Sequence, residues 1–301
     1  MTDATAIHTE HLTKRYGKTL AVDELSLDVG RGEVFGFVGE NAAGKTTTIR
    51  LLLGLARATS GTVSVLDENP RDHRRAHLLM ARLGYVSETR AMYDWMRVSE
   101  IIAFCAGIHG KAWDHALAKQ LQGQYRLDPA KHVKDLSRGQ RALLMLLLAV
   151  AHHPELLILD EPSSGLDPVA RREILEQVIE TIQSEGRTVF FSSHLLDEVE
   201  RVADRVGFLH QGRLVTTESL DALHARWRRV RVVWPEPREA PTLEGVRRVE
   251  GNGREQALVA DRFSDEMLRT LTAMGAGQVS ADAMSLDDIF VETVRERSAV
   301  A

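Results

Sequence analysis

Leu25, Leu27 and Val29 alternate with polar residues, and Val34-Phe35-Gly36-Phe37-Val38 then runs apolar without interruption. The alternation predicts a half-buried strand, and the unbroken run a strand covered on both faces. From Gly44 the apolar spacing becomes helical through Ile49, Leu52, Leu53 and Leu55, and Ser60-Gly61 then leads into a further strand from Thr62 to Leu66. The region from about 90 to 151 reads as mostly helical and closes on the apolar segment Arg141 to Ala151. Strand signals return at Leu156 to Leu159 and at Thr188 to Ser192, with an amphipathic helix from Pro168 to Glu185 between them. Strands separated by helices predict an α/β fold with a parallel sheet.

The pattern changes after Leu220. Trp234-Pro235-Glu236-Pro237 and Ala240-Pro241 read as a break, and Gly251-Asn252-Gly253 as a hairpin turn between Val246–Val249 and Ala257–Val259. Short helices near Ser264 to Met274 and Ser285 to Val294 complete a small α+β domain with Leu258, Leu271, Ile289 and Phe290 as its core. The expected organisation is a large domain over 1–220, with a helical subdomain near 90–151, and an accessory domain over 221–301. Arg226-Trp227-Arg228-Arg229 is expected at a solvated strand edge.

With 301 residues, 44% of them hydrophobic, the chain can bury a sizeable core. Its longest apolar run, Ala142 to Ala151, falls short of the roughly 20 residues that a membrane span needs, and no signal peptide is visible. The single cysteine, Cys105, is expected as a small buried hydrophobe in a reducing compartment. A net charge of −5 with mixed signs argues against nucleic acid as a partner. The adjacent His152 and His153 have no further ligands at zinc spacing.

Two segments carry chemistry. Gly39-Glu40-Asn41-Ala42-Ala43-Gly44-Lys45-Thr46 fits G-x-x-x-x-G-K-[ST] between a buried strand and a helix, where backbone N–H groups converge on an anion. Lys45 would reach the β- and γ-phosphates of a nucleotide, and the Thr46 hydroxyl would ligate Mg²⁺. Leu156-Leu157-Ile158-Leu159 ends in Asp160-Glu161, at the strand end where open α/β sheets bind ligands. Alternation along the strand would send the two carboxylates to opposite faces and separate tasks, Asp160 to the metal and Glu161 to the attacking water.

With these two segments in place, residues 5 to 220 resemble the ATP-binding cassette family, the nucleotide-binding subunits of ABC transporters. Leu136-Ser137-Arg138-Gly139-Gln140 is similar to the family's signature, Ser164-Gly165-Leu166-Asp167 to its D-loop, and Ser192-Ser193-His194 to its switch histidine. Tyr16 stands at the adenine-stacking position, and Glu88 at the place of the Q-loop glutamine. The resemblance implies a P-loop NTPase fold with a helical subdomain, an ATPase, and ATP with Mg²⁺ as the bound species. It implies nucleotide contacts from Tyr16, Gly39, Asn41, Gly44, Lys45, Thr46, Thr47, Glu88, Asp160 and Asp167. Thr46, Glu88 and Asp160 would hold the metal, and Glu161, His194 and Lys45 would carry catalysis.

The family pairs its subunits head to tail, so Ser137, Gly139 and Gln140 of one subunit would close on the nucleotide of another, in a homodimer or a heterodimer. The resemblance further implies an integral-membrane permease as partner and a place on the inner face of the cell membrane. A single cassette with a C-terminal appendage looks most like ABC-2 type exporters. The alternatives are an import subunit and a soluble ATPase acting on ribosomes or DNA. Tyr93, Trp95 and Met96 lie in a segment expected to be helical, where the family docks its permease. Three departures stand out: Arg138 replaces a signature glycine, Glu88 a glutamine, and Ala42 a glycine of the phosphate loop, where alanine would be penalised at positive φ.

Overall fold

The structure is a computed structural model and describes residues 5–300. The chain divides into two compact units, one through Thr217 and one from Glu218.

The first unit begins with β1 (Thr5–Tyr16), β2 (Thr19–Gly30) and β3 (Val34–Gly39), followed by α1 (Lys45–Leu52), β4 (Ser60–Val65), α2 (Ala76–Met80) and β5 (Leu83–Val86). The helices α3 (Val98–His109), α4 (His115–Gln124) and α5 (Arg138–Val150) come next. They are followed by β6 (Leu156–Asp160), α6 (Pro168–Glu185), β7 (Thr188–Ser193), α7 (Leu196–Glu200), β8 (Arg205–His210) and β9 (Arg213–Ser219). Two sheets result. The antiparallel sheet β2-β1-β4 contains the alternating strand, in which Leu25, Leu27 and Val29 are all buried. The second sheet has the order β5-β6-β7-β3-β8-β9 and parallel pairing from β5 through β8. One core joins Ile7, Leu25 and Val29 of the first sheet to Phe35, Phe37 and Phe190 of the second, with Ile49 and Leu52 of α1 packed in.

Register fixes the site. Val38 lies opposite Ser193, Gly39 opposite Leu209, and Asp160 opposite Ser192, so the carboxyl ends of β3, β6, β7 and β8 finish along one edge. Ligands gather at this edge in open α/β sheets.

Several expectations change. The helix expected through Leu55 ends at Leu52, because Gly54 turns to φ +68°, and Leu55 is exposed. Tyr93 and Trp95 precede α3 instead of lying in it, and both are exposed, so core packing does not account for them. Cys105 is only half-buried, and its neighbour Phe104 is exposed.

The second unit holds α8 (Leu220–Arg226), β10 (Arg228–Arg238), β11 (Val246–Glu250), β12 (Gly253–Ala260), α9 (Asp265–Ala273), β13 (Gln278–Ala283) and α10 (Leu286–Val300). Its sheet has the order β11-β12-β10-β13, with β11 and β12 paired as the expected hairpin. Leu258, Leu271, Ile289 and Phe290 are all buried. The expected break at Trp234–Pro237 is instead the end of β10. Regular pairing with both neighbours stops at Val233, so Pro235 and Pro237 remove no ladder hydrogen bond. The arginine cluster is likewise not at an edge. Arg228 and Arg229 open the interior strand β10, Trp227 is buried, and Arg226 pairs with Glu218.

Candidate functional site

The loop between β3 and α1 has the shape its sequence requires. Gly44 sits at φ 112°, and a Cβ there would lie 2.3 Å from the Ala21 carbonyl oxygen. A Cβ on Gly39 would lie 2.4 Å from the Leu209 carbonyl. Between them Ala42 does adopt a left-handed φ of 65°, the conformation in which alanine is strained. No side chain caps the start of α1 and no acid occupies its first turn, so its N–H groups and dipole remain available to an anion.

Lys45, 6% exposed, curls back over this loop. Its ammonium donates to the carbonyls of Gly39 at 2.6 Å and Glu40 at 3.1 Å and meets Glu161 Oε1 at 3.1 Å. The other carboxylate oxygen, Glu161 Oε2, accepts from His194 Nδ1 at 2.7 Å and from the His194 backbone N–H at 3.3 Å. Glu161 therefore joins the phosphate loop to the end of β7.

Asp160 faces a different set of groups. Its Oδ1 accepts from Ser192 Oγ at 2.9 Å and from Thr46 Oγ1 at 3.3 Å. Burial pushes its pKa above the ordinary carboxylate value, and the two hydroxyls partly offset this. The carboxylates do have separate partners, but strand alternation is not the whole cause. β6 ends at Asp160, and the chain turns at Glu161 through a left-handed φ of 49°.

The loop borders a cleft of 680 Å³. One wall comes from Asn41, Ala42 and the start of α1, including Lys45, Thr46 and Thr47. Glu88 and Glu161 contribute acids, and Thr19, Leu20 and Ala21 of β2 face Gln211 and Gly212. Glu88 itself is exposed.

Other expected site residues lie outside this cleft's lining. Tyr16 is exposed at the end of β1, with the Lys14 ammonium 4.6 Å from its ring, and is paired in register with the cleft residue Thr19. Ser137 and Gln140 cap α5 reciprocally: Ser137 Oγ accepts the Gln140 N–H at 3.1 Å, and Gln140 Oε1 accepts the Ser137 N–H at 3.2 Å. A Cβ on Gly139 would lie 2.9 Å from Ala170 Cβ, so this glycine permits close approach of α6. Asp167 accepts the N–H groups of Val169 and Ala170 at the start of α6.

Sequence reasoning missed Ser192 as a partner of Asp160, and missed Thr19, Gln211 and Gly212 as cleft residues. Two serines following Val189-Phe190-Phe191 in β7 are the one local signal for the first. The others arrive from β2 and from the turn between β8 and β9.

Comparison with known proteins follows the same lines. A family profile described as ABC transporter matches residues 22–164. The bacitracin transport ATP-binding protein BcrA of Enterococcus faecalis is 37% identical over 225 residues, which cover 74% of this chain and 72% of that protein. An uncharacterized ABC transporter ATP-binding protein of Bacillus subtilis, YhaQ, is 31% identical over 295 residues, 95% of this chain and 97% of that one. Among solved structures, an ATP-binding subunit of an ABC transporter superposes with a TM-score of 0.65 at 27% identity, over 73% of this chain and 92% of the other.

Proposed function

The chain belongs to the ABC transporter ATP-binding proteins, ATP-hydrolysing subunits that work with a membrane permease, and on that premise we propose how its cleft divides the work. The observation that carries the reading is Glu161 held between Lys45 and His194 at the cleft wall. Lys45 and the uncapped start of α1 bind the triphosphate, with Gly39, Asn41, Gly44 and Thr47 shaping the loop around it. Glu161 accepts the proton of the attacking water, and His194 orients that carboxylate through the 2.7 Å hydrogen bond. Tyr16 stacks on the adenine.

A buried carboxylate whose hydrogen-bond donors are hydroxyls alone suits a hard cation. Asp160, Thr46 and Glu88 would hold Mg²⁺, which neutralises charge developing on the phosphates when bound.

Ser137, Gly139, Gln140 and Asp167 lie off this cleft and serve the nucleotide of a second subunit in a homodimer or heterodimer. Among the described residues no helix is long and apolar enough to cross a membrane, and we place the chain on the cytoplasmic face through its permease. Similarity to a protein named for bacitracin transport favours export over import. The second unit acts as an accessory to this engine, since the expected nucleotide residues all lie in the first.

Glu161→Gln keeps the shape of the side chain and removes its basicity. We expect ATP binding to survive and phosphate release to fall by roughly 10²- to 10⁴-fold. Near-normal turnover by the purified variant would remove Glu161 from the role.

A further inference from the structure

A buried arginine lies just behind Glu161. Arg90 is 7% exposed and sits at a left-handed φ of 47°, and among the described residues no carboxylate forms an ion pair with it. Its Nη2 donates to the carbonyls of Pro162 at 2.8 Å and Ser164 at 2.7 Å, while its Nε has no partner. A second arginine reaches the same turn: Arg138 Nη1 donates to the Gly165 carbonyl at 3.4 Å. Burial and the neighbouring Arg138 charge lower the pKa of Arg90, and the Glu88 charge partly offsets them.

This arrangement is costly for stability. A buried guanidinium with no contact ion pair loses its hydration, and the carbonyls and the more distant Glu88 charge return only part of it. Packing alone would be served better by a neutral residue. What arginine supplies is a planar terminal –NH2 group, Nη2, whose two N–H bonds are held at a fixed angle and fix both carbonyls at once. Those carbonyls belong to the turn that leaves Glu161, which is closed by Ser164 N–H to the Glu161 carbonyl at 3.0 Å and Leu166 N–H to the Ser163 carbonyl at 3.2 Å. Ser163 Oγ is held by Glu198 at 2.5 Å. The backbone of Glu161 is thus tied to whatever holds Pro162 and Ser164. Glu88, two residues before Arg90, reaches the cleft.

We infer that Arg90 is a positioning residue for Glu161, acting through the 162–167 turn, and that Arg138 ties the same turn to the start of α5. This inference rests on Glu161 as the base. The departure of Arg138 from the glycine usual in the signature then has a use within the subunit: Nη1 of its guanidinium reaches the Gly165 carbonyl.

The test uses the purified full-length chain with Arg90→Gln, Arg90→Lys, Arg138→Gly, the Arg90→Gln/Arg138→Gly double variant, and Glu161→Gln as reference. Nucleotide affinity, KM, kcat and the urea midpoint are measured for each. Arg90→Gln should lower kcat roughly 10- to 100-fold, as a misplaced catalytic group does, with nucleotide affinity and KM nearly unchanged. Arg90→Lys should recover part of the loss, because an ammonium still reaches one carbonyl. Arg138→Gly should have a smaller effect, and the double variant should be non-additive, since both arginines hold one turn. Wild-type kcat in either Arg90 variant overturns the inference, as does a parallel loss of affinity and kcat or strict additivity. If Arg90→Gln does not fold, Arg90→Lys decides by the same criteria. Normal hydrolysis by Glu161→Gln would instead bring down the reading of the base. An inactive Glu161→Gln beside fully active Arg90 variants brings down the positioning role alone.

Discussion

Replacing Ser192 by alanine removes its bond to the buried Asp160 and one of two acceptors of the Glu161 N–H. Ser192 is fully buried and Asp160 is 1% exposed, and their 2.9 Å bond is shorter than the 3.3 Å bond from Thr46. A hydrogen bond to a charged group contributes about 1.5–3 kcal/mol. The alanine leaves no orphan N–H behind, because Glu161 N–H also donates to the Ser192 carbonyl at 3.1 Å. The pH-dependent part of the loss therefore falls on ionised Asp160. Its folded pKa already lies above the unfolded value of 3.8, so its ionisation opposes folding, and that penalty grows as pH rises above the unfolded pKa. Ser192 reduces the penalty, and removing it should enlarge it. Urea unfolding of ligand-free protein should show Ser192→Ala destabilised by about 1.5–3 kcal/mol near pH 7.5. The two proteins should converge as pH falls toward the unfolded carboxylate value. A difference below about 0.5 kcal/mol at pH 7.5, or one that does not change with pH, would refute the charge-assisted bond.

Gly44→Ala puts a methyl group 2.3 Å from the Ala21 carbonyl oxygen, so the phosphate loop must shift, and isothermal titration should show ATP binding lost in a chain that still folds. In the second unit, Trp234 Nε1 donates to Gln256 Oε1 at 3.0 Å, and Gln256 Nε2 donates to the Arg238 carbonyl at 2.8 Å. Gln256→Leu strands the N–H of the buried Trp234 and should lower the unfolding free energy of that unit by about 1–3 kcal/mol, read from Trp fluorescence in urea.

How much of this was legible in the chain depends on how local each signal is. The phosphate loop and Asp160-Glu161 are contiguous and follow apolar runs, so their residue types and their place at strand ends could be read directly. Even the strain at Ala42 was visible as a departure from glycine. β1 gave no comparable signal, because His8, Glu10, His11 and Lys14 interrupt its apolar positions and its burial comes from pairing with both β2 and β4. Pro235 and Pro237 suggested a break, since a sequence does not reveal where ladder pairing stops. Ser192 became a partner of Asp160 only when β6 and β7 paired in register. Arg90 carried no motif of its own, and its importance appeared once Pro162 and Ser164 were brought beside it.

The contact between Lys45 and Glu161 changes what nucleotide binding means for this chain. The ammonium already has an internal counter-ion, so on the proposed reading a triphosphate would have to displace Glu161 Oε1 from Lys45, an ion exchange. Affinity then measures the surplus of phosphate over carboxylate, and a weaker internal pair would bind nucleotide more tightly. The exchange also has a second product. A triphosphate claiming Lys45 would set free Glu161 Oε1, so seating the substrate would also unmask the group proposed to take the proton of water.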